Sequence, residues 1–388
     1  MRFAVDAHAI GLRQTGNEVY IRNLLEHFPR LDSENEFTAF VSSTQAALQV
    51  PETISTPRVS ANPLLRLALD LPRHVRATVP DLLHVQYTAP PTAAVPIVAT
   101  VHDVSFLERP EFFSRARAWQ LTQTVGHTVA KAARIITVSE FSRRAILRHY
   151  RIAPERVVSI PNAVANEFRP LDRQRAQSAI RKQYGIATPV ILTVGDLQPR
   201  KNHLGLLTAF ADLLMEFPEL PHHLVFVGKD RGCQAELRRV AASRGLRERV
   251  HFTGFVDDCD LVQFYAACDL FVFPSFYEGF GLPLLEAMAC GRAVACSNTT
   301  AMPEVIGGAG ILFDPRSPRQ ITHAMAQVLR DAAVRSALER RGLERSRQFS
   351  WQRSAALTLN VYYEVAGGMA RFSEFEDADR LLLSSSSR

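Results

Sequence analysis

Short apolar runs alternate with longer stretches whose apolar residues recur at helical spacing, and the alternation continues almost from end to end of the chain. The first pattern suits a buried strand and the second one face of a helix. Parallel strands need a crossover to join them, which a helix supplies, so a chain written this way is α/β with parallel sheets. All-helical, all-β and fibrous architectures are excluded.

The first series opens with a strand at residues 2–6. Gly11 and Gly16 then bracket a loop, and Ile21, Leu24, Leu25 and Phe28 share one helical face. Further strands are expected at 37–41, 82–86, 97–102 and 135–139, the last leading into a helix through Tyr150. Pro161-Asn162-Ala163 reads as a turn, and 167–185 is polar and arginine-rich. A second series starts with a strand at 189–195. It continues with helix 202–217, strand 224–228, helix 233–244, strand 250–253, helix 259–267 and strand 270–274, and helices follow at 318–330, 333–348 and 351–366. The 388 residues exceed an ordinary single domain. The expected division is a first domain at 1–185, a second at 186–349, a terminal helix within 350–370 and a disordered tail at 371–388.

Net charge is +6, and it is unevenly spread: residues 1–185 carry 23 Lys+Arg against 16 Asp+Glu, so the second half is nearly neutral. Arginine dominates, the lysines being Lys131, Lys182, Lys201 and Lys229. The arginines are scattered without an aromatic platform, which argues against a nucleic-acid binder. No G-x-G-x-x-G follows the first strand, which argues against a nicotinamide oxidoreductase. The five cysteines form no C-x-x-C pair and read as reduced thiols. No signal peptide opens the chain and no run reaches the roughly 18 apolar residues of a membrane span, so a cytoplasmic protein is expected.

Three segments carry chemistry. Glu278-Gly279-Phe280-Gly281-Leu282-Pro283-Leu284-Leu285-Glu286 is a glycine loop running into a helix, with Pro283 placed to start it. Such a loop offers unpaired backbone N–H groups and the positive end of a helix dipole, a seat for an anion. The two glutamates stand eight positions apart, and a carboxylate grips paired sugar hydroxyls through two hydrogen bonds, so the segment suits a sugar nucleotide. Arg200-Lys201 places two cations at a strand-to-helix turn, where they would neutralise a diphosphate and the charge that grows on it as a leaving group. His102-Asp103 ends an apolar strand, where open parallel sheets place their ligands.

Together these segments resemble the E-x₇-E, R-K and His-Asp signatures of glycosyltransferase family 4, retaining enzymes of the GT-B fold with two Rossmann-like domains. The resemblance implies that Glu278 meets the transferred sugar and Glu286 the ribose. It assigns backbone contacts to Gly279, Phe280, Gly281 and Leu282, the diphosphate to Arg200 and Lys201, and a place facing the donor sugar across the interdomain cleft to His102. Gly16, in Arg13-Gln14-Thr15-Gly16-Asn17, resembles the glycine that approaches the donor phosphate, although Asn17 stands where many relatives carry a second glycine. Val256 resembles the position whose backbone reads the base, and Lys229 is a further phosphate candidate.

The strings around Leu83–Pro91 and Val101–Phe113 look most like bacterial mannosyltransferases of cell-surface polysaccharide assembly. The implied reaction moves a hexose, mannose from GDP-mannose with UDP- and dTDP-linked sugars as alternatives, to a glycan or polyprenyl-diphosphate-linked acceptor. A non-catalytic GT-B partner protein is the competing reading, since fold does not fix function. No metal cluster is apparent, so no metal or other cofactor is expected. Residues 63–76 mix leucine and arginine as a peripheral contact with an anionic membrane would, or as a core-facing segment with a basic side.

Overall fold

The computed structural model describes residues 1–12, 15–373 and 375. The chain forms two compact units, Met1–Asn162 with Ser350–Arg388, and Ala163–Phe349.

The first unit is built on β1 (Arg2–Asp6), β2 (Glu36–Phe40), β3 (Leu82–Gln86), β4 (Ile97–Thr100), β5 (Arg134–Thr137) and β6 (Val157–Ser159). All pair in parallel, in the order β2-β1-β3-β4-β5-β6. Residues Ser55 and Arg58 bridge in parallel to Thr38 and Val41, so a further extended segment lies outside β2. Strand order therefore reverses between β1 and β3, and loops leaving the carboxyl ends of those two strands diverge to leave a crevice. One face of the sheet is covered by Leu71 and Val75, Val125 and Val129, and Ala145 and Ile146 from three helices. On the other, the helices Thr15–Leu31 and Trp351–Val365 meet Phe3: the Phe3 ring lies 5.2 Å from Tyr362, which lies 5.5 Å from Phe28.

The second unit holds β7 (Val190–Val194), β8 (His223–Val227), β9 (Val250–Gly254), β10 (Leu270–Phe273), β11 (Val294–Ser297) and β12 (Ile311–Phe313). Their order is β12-β11-β10-β7-β8-β9, again all parallel, with the reversal between β7 and β10. The strands are buried on both faces, which is why they read as continuous apolar runs. Each unit is thus a Rossmann-like layer structure.

One domain boundary differs from the sequence reading. Residues 173–184, assigned to the first domain as part of a polar, arginine-rich stretch, form a helix, Arg173–Tyr184, that packs in the second unit. Gln183 donates to Asp260 at 2.7 Å, Tyr184 donates to the same carboxylate and stacks edge-on against Phe264, and Arg173 bridges Asp269 and Glu339 at 2.8 and 2.7 Å. The second unit accordingly begins at Ala163 and not at residue 186. Three strands were not anticipated: β6 and β12 are three residues long, and β11 is made of small residues. Of the expected tail, 371–373 and 375 are described and Arg371 pairs with Glu34 at 2.9 Å; the rest lies outside the described residues. Among the described residues no helix is long and apolar enough to cross a membrane.

Candidate active site

In the second unit, the loops that follow β7 and β10 flank the point of strand reversal. After β7, Gly195 adopts φ +147°, and its carbonyl lies where a Cβ on Gly228 would sit, at 2.2 Å, so the β7 and β8 loops touch backbone to backbone. A short 3₁₀ turn, Pro199–Lys201, carries the two cations. Asn202 stops that turn in the left-handed region at φ +54°, and its amide donates to the carbonyls of Pro274 and Pro315 at 3.2 and 2.7 Å. The cation turn is thereby tied to the β10 loop.

That tie brings Arg200, Lys201 and Glu278 together. Lys201 Nζ lies 2.7 Å from Glu278 Oε1 and sits over the Phe273 ring at 5.0 Å. Arg200 Nη1 donates to the Tyr277 carbonyl at 2.8 Å and lies 3.3 Å from Glu278 Oε2. The Glu278 N–H donates to Thr300 Oγ1 at 3.2 Å. Burial alone would raise the Glu278 carboxyl, but Lys201 and Arg200 more than offset it and hold it below its ordinary value. Burial likewise lowers Lys201, with Glu278 opposing. A carboxylate flanked by two cations remains ionised and keeps a fixed orientation.

The glycine loop follows directly. Gly281 has φ +112°, and a Cβ there would press on Leu284 at 3.1 Å, so only glycine fits. Phe280 buries its ring against Phe349 at 5.9 Å, which leaves its backbone as the part available to a ligand. The helix Leu282–Ala289 begins with Pro283 in its first turn. Glu286 lies one turn further, accepting a 2.7 Å bond from the Tyr265 hydroxyl. Its carboxyl is pushed up to about 7 by burial, with Asp258 and Glu167 adding repulsion. At the neighbouring strand ends, Val256 buries its side chain, Phe255 is exposed beneath Lys229 at 5.0 Å, and Asp196 accepts from the Lys229 N–H at 3.2 Å. Among the described residues no three His, Cys, Asp or Glu side chains group as a metal site would require.

The remaining expected residues belong to the first unit. Gly16 lies in the first turn of the helix Thr15–Leu31, exposed, and beyond its own helical turn no described residue comes within 4 Å of where a Cβ would stand. Arg13 and Gln14 of the same loop lie outside the described residues. His102 follows β4, with its Nε2 2.8 Å from Gln86 Oε1 and its ring perpendicular to Tyr20 at 4.8 Å. Burial lowers it to about 4, so the imidazole is neutral. Asp103 accepts from the Ser105 N–H at 2.9 Å just ahead of the short helix Ser105–Glu108, and Ser139 accepts from the Ser142 N–H at 3.1 Å, capping the helix Glu140–Tyr150.

Sequence reasoning gave no role to Gln86 or Tyr20. Gln86 carries the same signal as His102, a polar residue ending an apolar strand, but its meaning depends on β3 and β4 being neighbours.

The model of the family described as "Glycosyltransferase Family 4" matches residues 14–168, and that described as "Glycosyl transferases group 1" matches residues 176–345. The O-antigen chain mannosyltransferase B of Escherichia coli is 37% identical over 266 residues, covering 68% of this chain and 69% of that protein. The serotype-specific mannosyltransferase WbdA of the same species is 38% identical over 236 residues, 60% of this chain but only 29% of the longer WbdA. Among solved structures, Anabaena HepE in complex with UDP and glucose superposes with a TM-score of 0.73 at 21% identity, covering 93% of this chain and 98% of that one, which speaks to the fold. With both Rossmann-like units matched and the first glutamate of the E-x₇-E element joined to the R-K pair, the chain belongs to glycosyltransferase family 4 and is a glycosyltransferase of the GT-B fold.

Proposed function

We propose that the protein is a retaining hexosyltransferase that moves mannose from GDP-mannose to a hydroxyl of a glycan or polyprenyl-diphosphate-linked oligosaccharide, at the inner face of the plasma membrane. The observation that carries the reading is the ion-paired Glu278, held between Arg200 and Lys201 at the strand reversal of the second unit. A diphosphate bound by the two cations would lie beside the carboxylate proposed to grip the sugar, and the ribose is assigned to Glu286. Mannose is suggested by the names of the two E. coli relatives, and a nucleoside-diphosphate donor by the UDP and glucose bound in HepE.

In this reading the C1–O bond to the diphosphate breaks while a C1–O bond to the acceptor hydroxyl forms on the same face. The acceptor proton passes to the departing diphosphate oxygen. Arg200 and Lys201 stabilise the negative charge that develops there, the role a divalent metal fills elsewhere. His102, neutral and fixed, orients the hexose instead of moving a proton. Purified protein screened against nucleotide sugars, with nuclear magnetic resonance following donor hydrolysis and transfer, tests the reading. Turnover from GDP-mannose in EDTA is expected, and complete loss restored by magnesium would contradict the metal-free mechanism.

The acceptor reading draws on residues 63–79. Leu64, Leu65 and Leu69 are 78%, 49% and 61% exposed, with Arg73 and Arg76 exposed nearby, whereas Leu71, Pro72 and Val75 belong to the core. Arg66 is buried 3.4 Å from Asp6 and is not part of this surface. Exposed leucines beside cations suit a bilayer interface containing anionic lipid. Co-sedimentation with phosphatidylglycerol vesicles is expected to fall in a Leu64→Ser, Leu69→Ser double variant, and equal binding by that variant would remove this face from consideration.

A further inference from the structure

At the carboxyl end of the first sheet, Thr137 Oγ1, Ser159 Oγ and the Gln86 amide are buried without a hydrogen-bond partner among the described residues, and of these Gln86 is the one paired with His102. Gln86 ends β3, beside the strand reversal, and is 6% exposed. Its Oε1 faces His102 Nε2 at 2.8 Å, while its amide nitrogen is buried without a hydrogen-bond partner among the described residues. An orphaned buried amide is a net cost to the fold. Methionine would fill the same volume without that cost.

The geometry of His102 adds to this. A neutral imidazole carries one N–H. Gln86 Oε1 takes it at Nε2, so Nδ1 is left as an acceptor. The ring plane is held by Tyr20, whose hydroxyl lies 2.9 Å from Thr100 Oγ1, and Tyr87 approaches from another side at 5.6 Å. At the ends of two adjacent parallel strands, the first unit therefore offers one fixed donor, Gln86 Nε2–H, and one fixed acceptor, His102 Nδ1. A polyol, whose hydroxyls both donate and accept, matches such a pair.

We propose that Gln86 is a sugar-binding residue: its Oε1 holds His102 in the Nε2–H tautomer, and its amide N–H donates to a hydroxyl of the hexose. The assignment rests on the glycosyltransferase reading, but half of it is measurable without turnover.

The test uses the full chain labelled with ¹⁵N-histidine, in wild type, Gln86→Met and Gln86→Glu, with donor kinetics from the nucleotide sugar that wild type turns over. Wild type is expected to show His102 as the Nε2–H tautomer at neutral pH. Gln86→Met is expected to lose that tautomer preference and to raise the donor KM about tenfold, the loss of one neutral hydrogen bond, while melting no lower than wild type because the orphaned amide is gone. Gln86→Glu keeps an acceptor for His102 and so keeps the tautomer, but lacks the N–H and shows the raised KM. A donor lacking the hydroxyl that Gln86 reads would show the same KM with wild type and Gln86→Met. An Nδ1–H tautomer in wild type, or variants with unchanged KM for every donor, would overturn the proposal. If no nucleotide sugar is turned over, the function reading fails, and the tautomer measurement still decides whether Gln86 sets His102.

Discussion

Glu286 shows how one residue is pulled between stability and function. Its carboxyl, pushed up to about 7, is protonated in the fold well above the pH at which it ionises in an unfolded chain, near 4.5. The folded state then binds more protons between those values, so this group lowers stability as pH rises from 4.5 towards 7. Gripping a ribose needs the ionised form. Donor KM is therefore expected to fall as pH rises through 7, as a pH profile of initial rates would show. Glu286→Gln should melt higher than wild type at pH 8 yet raise the donor KM several-fold. Glu278 behaves oppositely: Glu278→Ala leaves Lys201 and Arg200 without their carboxylate and is expected to lower both the melting temperature and kcat, the latter by a factor on the order of 10²–10³. Both glutamates were legible in the sequence because the E-x₇-E spacing is local, one loop and the start of one helix. Gln86 was not, because its partner His102 is sixteen positions away and reaches it only through the pairing of β3 with β4.

At the scale of elements, the terminal helix Trp351–Val365 is fastened to the first sheet by a buried chain of hydrogen bonds. Thr358 Oγ1 donates to the Ser354 carbonyl at 2.7 Å, so it can only accept from Tyr20, with which it is also hydrogen-bonded. Tyr20 then accepts from Thr100 at 2.9 Å, Thr100 accepts from His84 Nε2–H at 2.7 Å, and His84 Nδ1 accepts from the Tyr362 hydroxyl at 2.6 Å. The direction of every bond follows from the first, and His84, lowered to about 3 by burial with His102 contributing, is neutral as the chain requires. Thr100→Val breaks the chain in its middle and leaves two buried groups without partners. It is expected to cost about 2–4 kcal/mol in urea unfolding, with His84 losing its single tautomer in ¹⁵N spectra. A Thr100→Val protein as stable as wild type would show that the chain is dispensable. The long helices and apolar strands were readable from periodicity, but this network was not: Tyr20, His84, Thr100, Thr358 and Tyr362 are each unremarkable in sequence and meet only after α/β layering.

For the molecule as a whole, the sequence divides the charge and the fold divides the chain, and the two divisions do not coincide. The polar, arginine-rich stretch 167–185 reads as the end of the first domain, yet Arg173 is fixed by Asp269 and Glu339 in the second unit, contacts that no local pattern announces. The first unit is completed by residues from Ser350 onward, with Tyr362 and Tyr363 almost wholly buried. A chain ending at residue 349 is expected to lose the protease resistance of the first unit while keeping that of the second. Buried neutral histidines set the acid limit: His84, His102 and His203 are held at about 3, 4 and 3 against 6.5 when unfolded. The unfolded chain takes up those protons first, so stability present above pH 6.5 is lost as pH falls towards 4, visible as a falling melting temperature.

The central claim is that Glu278, clamped by Arg200 and Lys201, holds a sugar for transfer from its diphosphate with retention. Proton nuclear magnetic resonance of the anomeric signal during turnover of GDP-α-mannose in EDTA tests it most directly. The account predicts an α-linked mannosyl product from wild type and a signal lost on Glu278→Ala; a β-linked product, or undiminished turnover by the variant, would contradict it.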